Sequence, residues 1–207
     1  MPRKALERNP ELPYHVYNRS LNKNFYSCDM GRLWQESTAL CCILTWIFGA
    51  RIHSFVLMSN HFHMLISTPE QNLDDCMRYF QSELSRWLSN ETESQSNCFG
   101  ARYKWSIIKN ASHYNMVYRY IYQNPLRAGI VTQAEDYPFS TLRGKLGLAK
   151  LPCPLYDHEF HGNIPPITED QDNWLNSVFD GESLQKIRNG LRRKSFHPPL
   201  RLQYRKN

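Results

Sequence analysis

The sequence contains no apolar run long enough to cross a bilayer. Its longest, Ala39 to Phe48, is interrupted only by Thr45 and falls well short of the ~20 residues a spanning helix needs. No hydrophobic core follows Met1-Pro2-Arg3-Lys4, so no secretion signal is expected. The six cysteines (Cys28, Cys41, Cys42, Cys76, Cys98, Cys153) include no C-x-x-C pair and no zinc-site spacing. They are expected to be reduced and mostly core-filling, as in a cytoplasmic protein with no membrane partner. An H-E-x-x-H motif is absent, which sets aside zinc-peptidase chemistry. Acidic residues are missing altogether from Ser183 onward.

That last absence shapes the charge distribution. The chain of 207 residues carries a net charge of +6, and its last 25 residues hold eight basic side chains, leaving residues 1–182 at −2. Within that larger part, residues 101–150 carry eight basic residues against Glu135 and Asp136. Two basic blocks on a mildly acidic body point to a polyanion, most simply nucleic acid. A solvated charged terminus is the alternative for the tail.

The length suits one well-cored domain with an appendage. Residues 13–19 alternate and are rich in aromatic and β-branched residues, which predicts a first strand. Asp29 is placed to cap a helix running to about Phe48, with Gly49 as its stop. The apolar end of that helix implies burial all round. Strands are predicted at 51–58 and 61–67, joined at Ser59-Asn60. A second helix begins at Asn72 or Asp74, with Met77, Phe80, Leu84 and Leu88 as its apolar stripe. Residues 90–97 read as a polar loop and 103–109 as a fourth strand. Ser112 is positioned to cap a third helix that ends near Asn124, because Pro125 follows. This order is the split βαβ plan of a ferredoxin-like α+β sandwich with an antiparallel sheet and packed helices. A catalytic domain over 1–149 is expected to be followed by a proline-containing C-terminal extension over 150–207, with a helix near 182–192 and a basic tail.

Within the second hairpin strand stand His61 and His63, two residues apart. On a strand they leave one face together while Phe62 enters the core on the other. Two neutral imidazoles converging there make half of a metal site, or they are surface or hydrogen-bonded histidines. On the third helix, Tyr120 and Asn124 are four residues apart and share a face. If that face meets the pair, two imidazoles, an amide oxygen and a phenol come together. The set suits metal-assisted attack of a tyrosine on phosphorus, because a phenol is a poor nucleophile at neutral pH without help. Tyr120 as a core tyrosine and Asn124 as a helix-ending residue are the plain alternatives. His15, His53, His113 and His158 show no partner spacing and are expected to be structural.

Over roughly residues 10–145 the chain resembles the single-tyrosine HUH transposases, most closely the REP-associated tyrosine transposase group of the IS200-like superfamily. The resemblance rests on Tyr14-His15-Val16 with Asn18-Arg19, on Met58-Ser59-Asn60-His61-Phe62-His63, and on residues 119–131, which include Asn124-Pro125-Leu126-Arg127-Ala128-Gly129. It continues through Asp136-Tyr137-Pro138-Phe139-Ser140-Thr141. It implies Mg²⁺ or Mn²⁺ held by His61 and His63, with Asn124 where relatives place a third ligand that is often glutamine. It also makes Tyr120 the nucleophile. The implied reaction cleaves single-stranded DNA beside a hairpin, giving a 5′-phosphotyrosine and a free 3′-hydroxyl, and can rejoin strands by reversal. Ser59 departs from a proline common in relatives. Arg19, Arg102, Lys104, Lys109, Arg119 and Arg127 are then expected to hold DNA phosphates. Arg192, Arg193 and Lys194 are expected to grip a hairpin stem. Tyr103, Trp105 and Phe139 would offer stacking surfaces to bases, with Trp105 as a core residue the competing reading. Two further functions compete: a domesticated binder of structured single-stranded DNA that does not cut, and a metal nuclease that uses water. The tyrosine serves its own histidine pair in a monomer, or a partner's in a homodimer.

Overall fold

A four-stranded antiparallel sheet in the order β2-β3-β1-β4 organises the chain. In this computed structural model residues 5–92, 98–163 and 174–197 are described. Part of the polar loop after residue 92, the Pro165-Pro166 turn and the tail from Pro198, with Arg201, Arg205 and Lys206, lie outside the described residues.

β1 (Tyr14–Arg19) pairs with β3 (His61–Ser67) on one side and β4 (Lys104–Ile107) on the other, and β2 (Arg51–Met58) pairs with β3. The β2–β3 hairpin has the predicted bounds. β4 is shorter than the sequence suggests. Pro13 has no N–H to continue the ladder, so pairing stops at a bond from the Ile108 N–H to the Pro13 carbonyl (2.9 Å). At the other end the Tyr103 N–H donates to the Gln81 side chain (3.3 Å).

On one face lie α1 (Met30–Trp46) and α2 (Leu73–Thr92). Asp29 caps α1 by accepting from the Arg32 N–H (2.8 Å). Gly49, at φ 68°, lets the Ala50 N–H reach back to the Leu44 carbonyl (3.0 Å), a left-handed exit that favours glycine. Trp46 and Ile47 are 73 % and 75 % exposed, so the expected all-round burial ends at Thr45 and the last turn stands in solvent. Met77, Phe80, Leu84 and Leu88 of α2 are buried with Phe55, Phe62, Met64 and Ile66 of the sheet.

The other face carries a second core. It is formed with α3 (Ala111–Tyr122), the short α4 (Asn124–Arg127) and α5 (Leu142–Lys145), and α6 (Gly181–Leu191) of the C-terminal extension. Asn110, not Ser112, caps α3, accepting from the His113 N–H (2.9 Å). Asn110 is extended, as a capping residue must be, while Ser112 already lies inside the helix. Asp180 caps α6 in the same way, through the Ser183 N–H (2.8 Å). Ile187, Leu191 and Phe196 enter the core beside Val117 and Ile121. Both sheet edges are covered. Ser140 bridges to Val56 on β2, and Ser195 bridges to Ile107 on β4, which leaves neither edge open along its length for pairing with another chain.

Candidate active site

β1 and β3 lay out the site by register. Tyr17 stands opposite His63 and Arg19 opposite His61, and alternation sends His15, Tyr17, His61 and His63 to the face covered by α3. The His61 Nδ1–H donates to the Asn60 amide oxygen (2.6 Å). Its Nε2 therefore keeps a lone pair. His63 Nδ1 meets His15 Nε2 at 2.9 Å, with the two rings stacked 5.1 Å apart. The third helix reaches the pair: the Tyr120 ring lies edge-on to His63 at 5.6 Å and to His15 at 6.1 Å. Tyr17 stacks on both histidines at 5.5 Å. Tyr120 is 6 % exposed, so it is both a packed tyrosine and a neighbour of the histidines.

Asn124 opens α4 directly after the end of α3. Its amide nitrogen donates to the Tyr120 and Ile121 carbonyls (3.1 and 3.0 Å), and its oxygen accepts from Arg127 (2.9 Å). The side chain is thus held against the helix end that carries Tyr120.

Burial keeps the histidines neutral. It lowers His61 to about 4 and His15 to about 3, and it holds His63 well below the ordinary histidine value, with neighbouring cationic groups adding to the effect on His61 and His63. Buried His53 is likewise lowered to about 3. Each group has a folded value below its unfolded one, so between pH 6.5 and about 4 the unfolded chain binds protons that the folded chain refuses. Stability is therefore fully present above pH 6.5 and is lost as pH falls below it. Urea unfolding from pH 7.5 to 4 is expected to show a midpoint that is flat above pH 7 and falls steadily below 6.5. A midpoint constant down to pH 4.5 would contradict these environments.

Apart from Arg127, the basic residues expected to bind DNA divide into four groups. Arg19 and Lys104 are exposed at the histidine face, with the Lys104 ammonium 5.8 Å from the Tyr17 ring. Arg192, Arg193 and Lys194 are exposed where the extension passes β4, and Lys109 is exposed just beyond that strand. Arg102 lies on the far side of the sheet, over Tyr103 (4.9 Å), in a cavity of about 700 Å³ between α2 and residues 99–103. Arg119 is 3 % exposed. Its guanidinium donates to the Ser177 carbonyl and lies over Phe179 (4.7 Å) and Trp174 (5.5 Å), so it ties the extension to α3. Tyr103 and Trp105 belong to the first core, and Phe139 packs partly buried between the two cores, which removes the stacking role expected of them.

Two members of the site escaped sequence reasoning, His15 and Tyr17. The signal was present in the alternation of β1, which places both on one face. Only the pairing of β1 with β3 makes that the histidine face. Arg188 of α6 is close enough to act electrostatically on Arg127.

Among the described residues no group of three or more His, Cys, Asp or Glu side chains is arranged to hold a metal. The candidate donors are the two imidazoles, with the Asn124 amide held beside Tyr120. The fixed His61 tautomer and the hydrogen bond behind each ring are the outer supports that metal-binding histidines ordinarily have. Asn124 Oδ1 retains a second lone pair beyond the one used by Arg127. Two neutral imidazoles and one amide oxygen fit a divalent ion that keeps open positions for phosphate oxygens.

The helix layers, the strand order and a tyrosine set against a His-x-His strand define a class that comparison with known proteins identifies. The family described as "Transposase IS200 like" matches residues 14–124. The chain belongs to this family. It is 30 % identical over 90 residues to the REP-associated tyrosine transposase of Escherichia coli (strain K12), a match covering 44 % of this chain and about half (53 %) of that relative. A solved REP-associated tyrosine transposase bound to a REP hairpin has the same fold, with a TM-score of 0.61 at 18 % identity, covering 80 % of this chain and all of the other. No described helix is long and apolar enough to cross a membrane.

Proposed function

We propose that this chain is a DNA strand transferase that cleaves and rejoins single-stranded DNA beside a hairpin. Tyr120 is the nucleophile, and Mg²⁺ or Mn²⁺ is held by His61, His63 and Asn124. The observation that carries this reading is the Tyr120 ring standing edge-on against His63, on the face that His61 shares. Family membership and a structural neighbour bound to a REP hairpin support DNA as the partner.

The chemistry follows from the residues. Asn60 and His15 orient the two imidazoles, and burial keeps them in the neutral form that binds metal. A divalent ion held by His61, His63 and Asn124 would supply Lewis-acid polarisation of the scissile phosphate. The Tyr120 hydroxyl gives up its proton to solvent water as its oxygen bonds to phosphorus. The bond from phosphorus to the 3′ oxygen breaks, and that oxygen takes a proton to leave as a 3′-hydroxyl. The phosphodiester is conserved as 5′-phosphotyrosine, so a 3′-hydroxyl reverses the step without external energy. Arg19, Lys104 and Arg192–Lys194 supply the positive rim that a DNA backbone requires.

Incubation of a labelled single-stranded hairpin substrate with the protein and Mn²⁺ tests this directly. A denaturant-resistant adduct that disappears in Tyr120→Phe is the expected result. Cleavage that survives the substitution would point to water as the nucleophile, and binding without cleavage to a domesticated binder.

A further inference from the structure

Arg127 is a half-buried cation with no counter-ion among the described residues. It closes α4, and its Cζ lies 4.4 Å from the centre of the Tyr120 ring. One terminal nitrogen, Nη2, donates to the Tyr120 carbonyl (3.0 Å) and to the Asn124 amide oxygen (2.9 Å). The Nε and Nη1 atoms are buried and have no protein hydrogen-bond partner among the described residues, which leaves three N–H bonds unused by the protein. None of the salt bridges among the described residues includes Arg127. Burial lowers it to about 10, with the adjacent Tyr120 phenol acting the other way, so it stays charged at neutral pH.

Folding alone gives no reason for such a group. A buried charge is costly unless paired, and buried N–H groups are ordinarily satisfied. If Arg127 served only to cap the end of α3, Nη2 alone would suffice. The unused donors call for an anion that arrives with a ligand, and the ligand must sit beside the Tyr120 phenol, because the guanidinium lies on that ring. The phosphodiester attacked by Tyr120 meets both requirements. Its non-bridging oxygens lie within a bond length or two of the phenol oxygen when the new bond forms, and their charge grows in the transition state. A guanidinium suits this task, since it donates several N–H bonds from a fixed plane and does not lose its proton.

We infer that Arg127 is a catalytic residue whose Nε–H and Nη1–H groups bind a non-bridging oxygen of the scissile phosphate and offset the charge that develops there. No bond to Arg127 forms and it transfers no proton; the covalent change remains the exchange of the 3′ oxygen for the Tyr120 oxygen. Because Nη2 also holds the Tyr120 carbonyl and the Asn124 amide, the same side chain sets the phosphate against the nucleophile. This rests on the reading of Tyr120 as the nucleophile.

The test compares Arg127→Gln and Arg127→Lys with the unaltered chain in single-turnover adduct formation. Two substrates are used, an ordinary hairpin DNA and one with an uncharged methylphosphonate at the cleavage position. On the phosphodiester, Arg127→Gln is expected to slow adduct formation about 100-fold with hairpin affinity within about threefold, and Arg127→Lys to recover part of the loss. On the methylphosphonate the difference between Gln and Arg is expected to shrink to within about threefold, because the charge to be offset is gone. A merely structural role predicts the same ratio on both substrates, and that result would overturn the inference. In a Tyr120→Phe background, the ¹⁵N–¹H resonance of Arg127 Nε is expected to shift with the phosphodiester and not with the methylphosphonate. If the unaltered chain forms no adduct at all, the reading of Tyr120 fails. The resonance then decides the Arg127 contact alone, and an unmoved signal overturns it.

Discussion

His61→Ala will lower metal-dependent adduct formation by about 10³-fold, about 4 kcal/mol at 1.36 kcal/mol per decade, while leaving the fold intact. His61 is half-buried at the first position of β3. Among the described residues its hydrogen bond is to its neighbour Asn60, so removing the ring at this strand end strands no buried partner. A change of at most a few degrees in Tm is expected, as for other substitutions without a core mechanism. The loss must therefore come from the chemistry of the site. Calorimetric titration with Mn²⁺ should show weakened binding, while hairpin affinity measured without metal stays close to that of the unaltered chain. His63 is less informative, because its replacement also deprives buried His15 of its hydrogen bond. An adduct rate unchanged in His61→Ala would remove the histidine pair from the mechanism.

Phe62→Ala is expected to cost the fold 3–5 kcal/mol, the usual range for truncating a buried phenylalanine (about 3–5 kcal/mol), out of a total of about 5–15 kcal/mol for an ordinary domain. Phe62 is fully buried between the two histidines in sequence. Its ring packs edge-on against Phe80 (5.3 Å) and Phe99 (6.0 Å), and is tilted against Phe55 (6.2 Å). The void would open under the start of β3, where β1 and β2 pair on both sides and prevent collapse. Urea unfolding measures the effect, with Phe25→Ala as the control. Phe25 is 73 % exposed and should change stability by no more than about 0.5 kcal/mol. Equal midpoints for the two variants would contradict the assignment of Phe62 to the core.

These two neighbouring residues show how far a strand can be read from sequence. Alternation along 61–67, closed by a two-residue turn, sorts His61 and His63 from Phe62 without any tertiary knowledge, and the structure agrees. The capped start of α1 and the stripe of α2 were legible for the same reason, since local hydrogen bonding and apolar spacing determine them. What sequence left open was which elements meet. Nothing local says that α3 crosses the histidine face, and the edge-on approach of Tyr120 to His63 depends on that crossing. His15 and Arg119 went unread for related reasons. Their partners, His63 and the Ser177 carbonyl, lie 48 and 58 residues away. Trp46 and Ile47 err the other way: apolar residues at a helix end were expected inside, but the helix outlasts the layer it packs on. Pro13 trimmed β4, a limit visible only once β1 is known to be its partner.

Arg119 and Arg127 make a similar contrast. Both are arginines of one basic block, eight residues apart, and composition treats them alike. One is stacked on aromatic rings and bonded to the extension, while the other lies on the Tyr120 ring with donors unused. Charge counting locates a partner class; only packing separates a structural cation from one held for a ligand.

The measurement that bears most directly on the central claim is peptide mapping of the trapped protein–DNA adduct. Tyr17 also stacks on His63, so the site holds two phenols and an adduct alone does not name the nucleophile. Trypsin separates them, releasing Tyr120–Arg127 apart from the peptide that ends at Arg19. The expected result is a nucleotide mass on the first peptide, with fragmentation placing it on Tyr120 and not Tyr122. A nucleotide on Tyr17, or cleaved DNA with no modified tyrosine, would contradict the account.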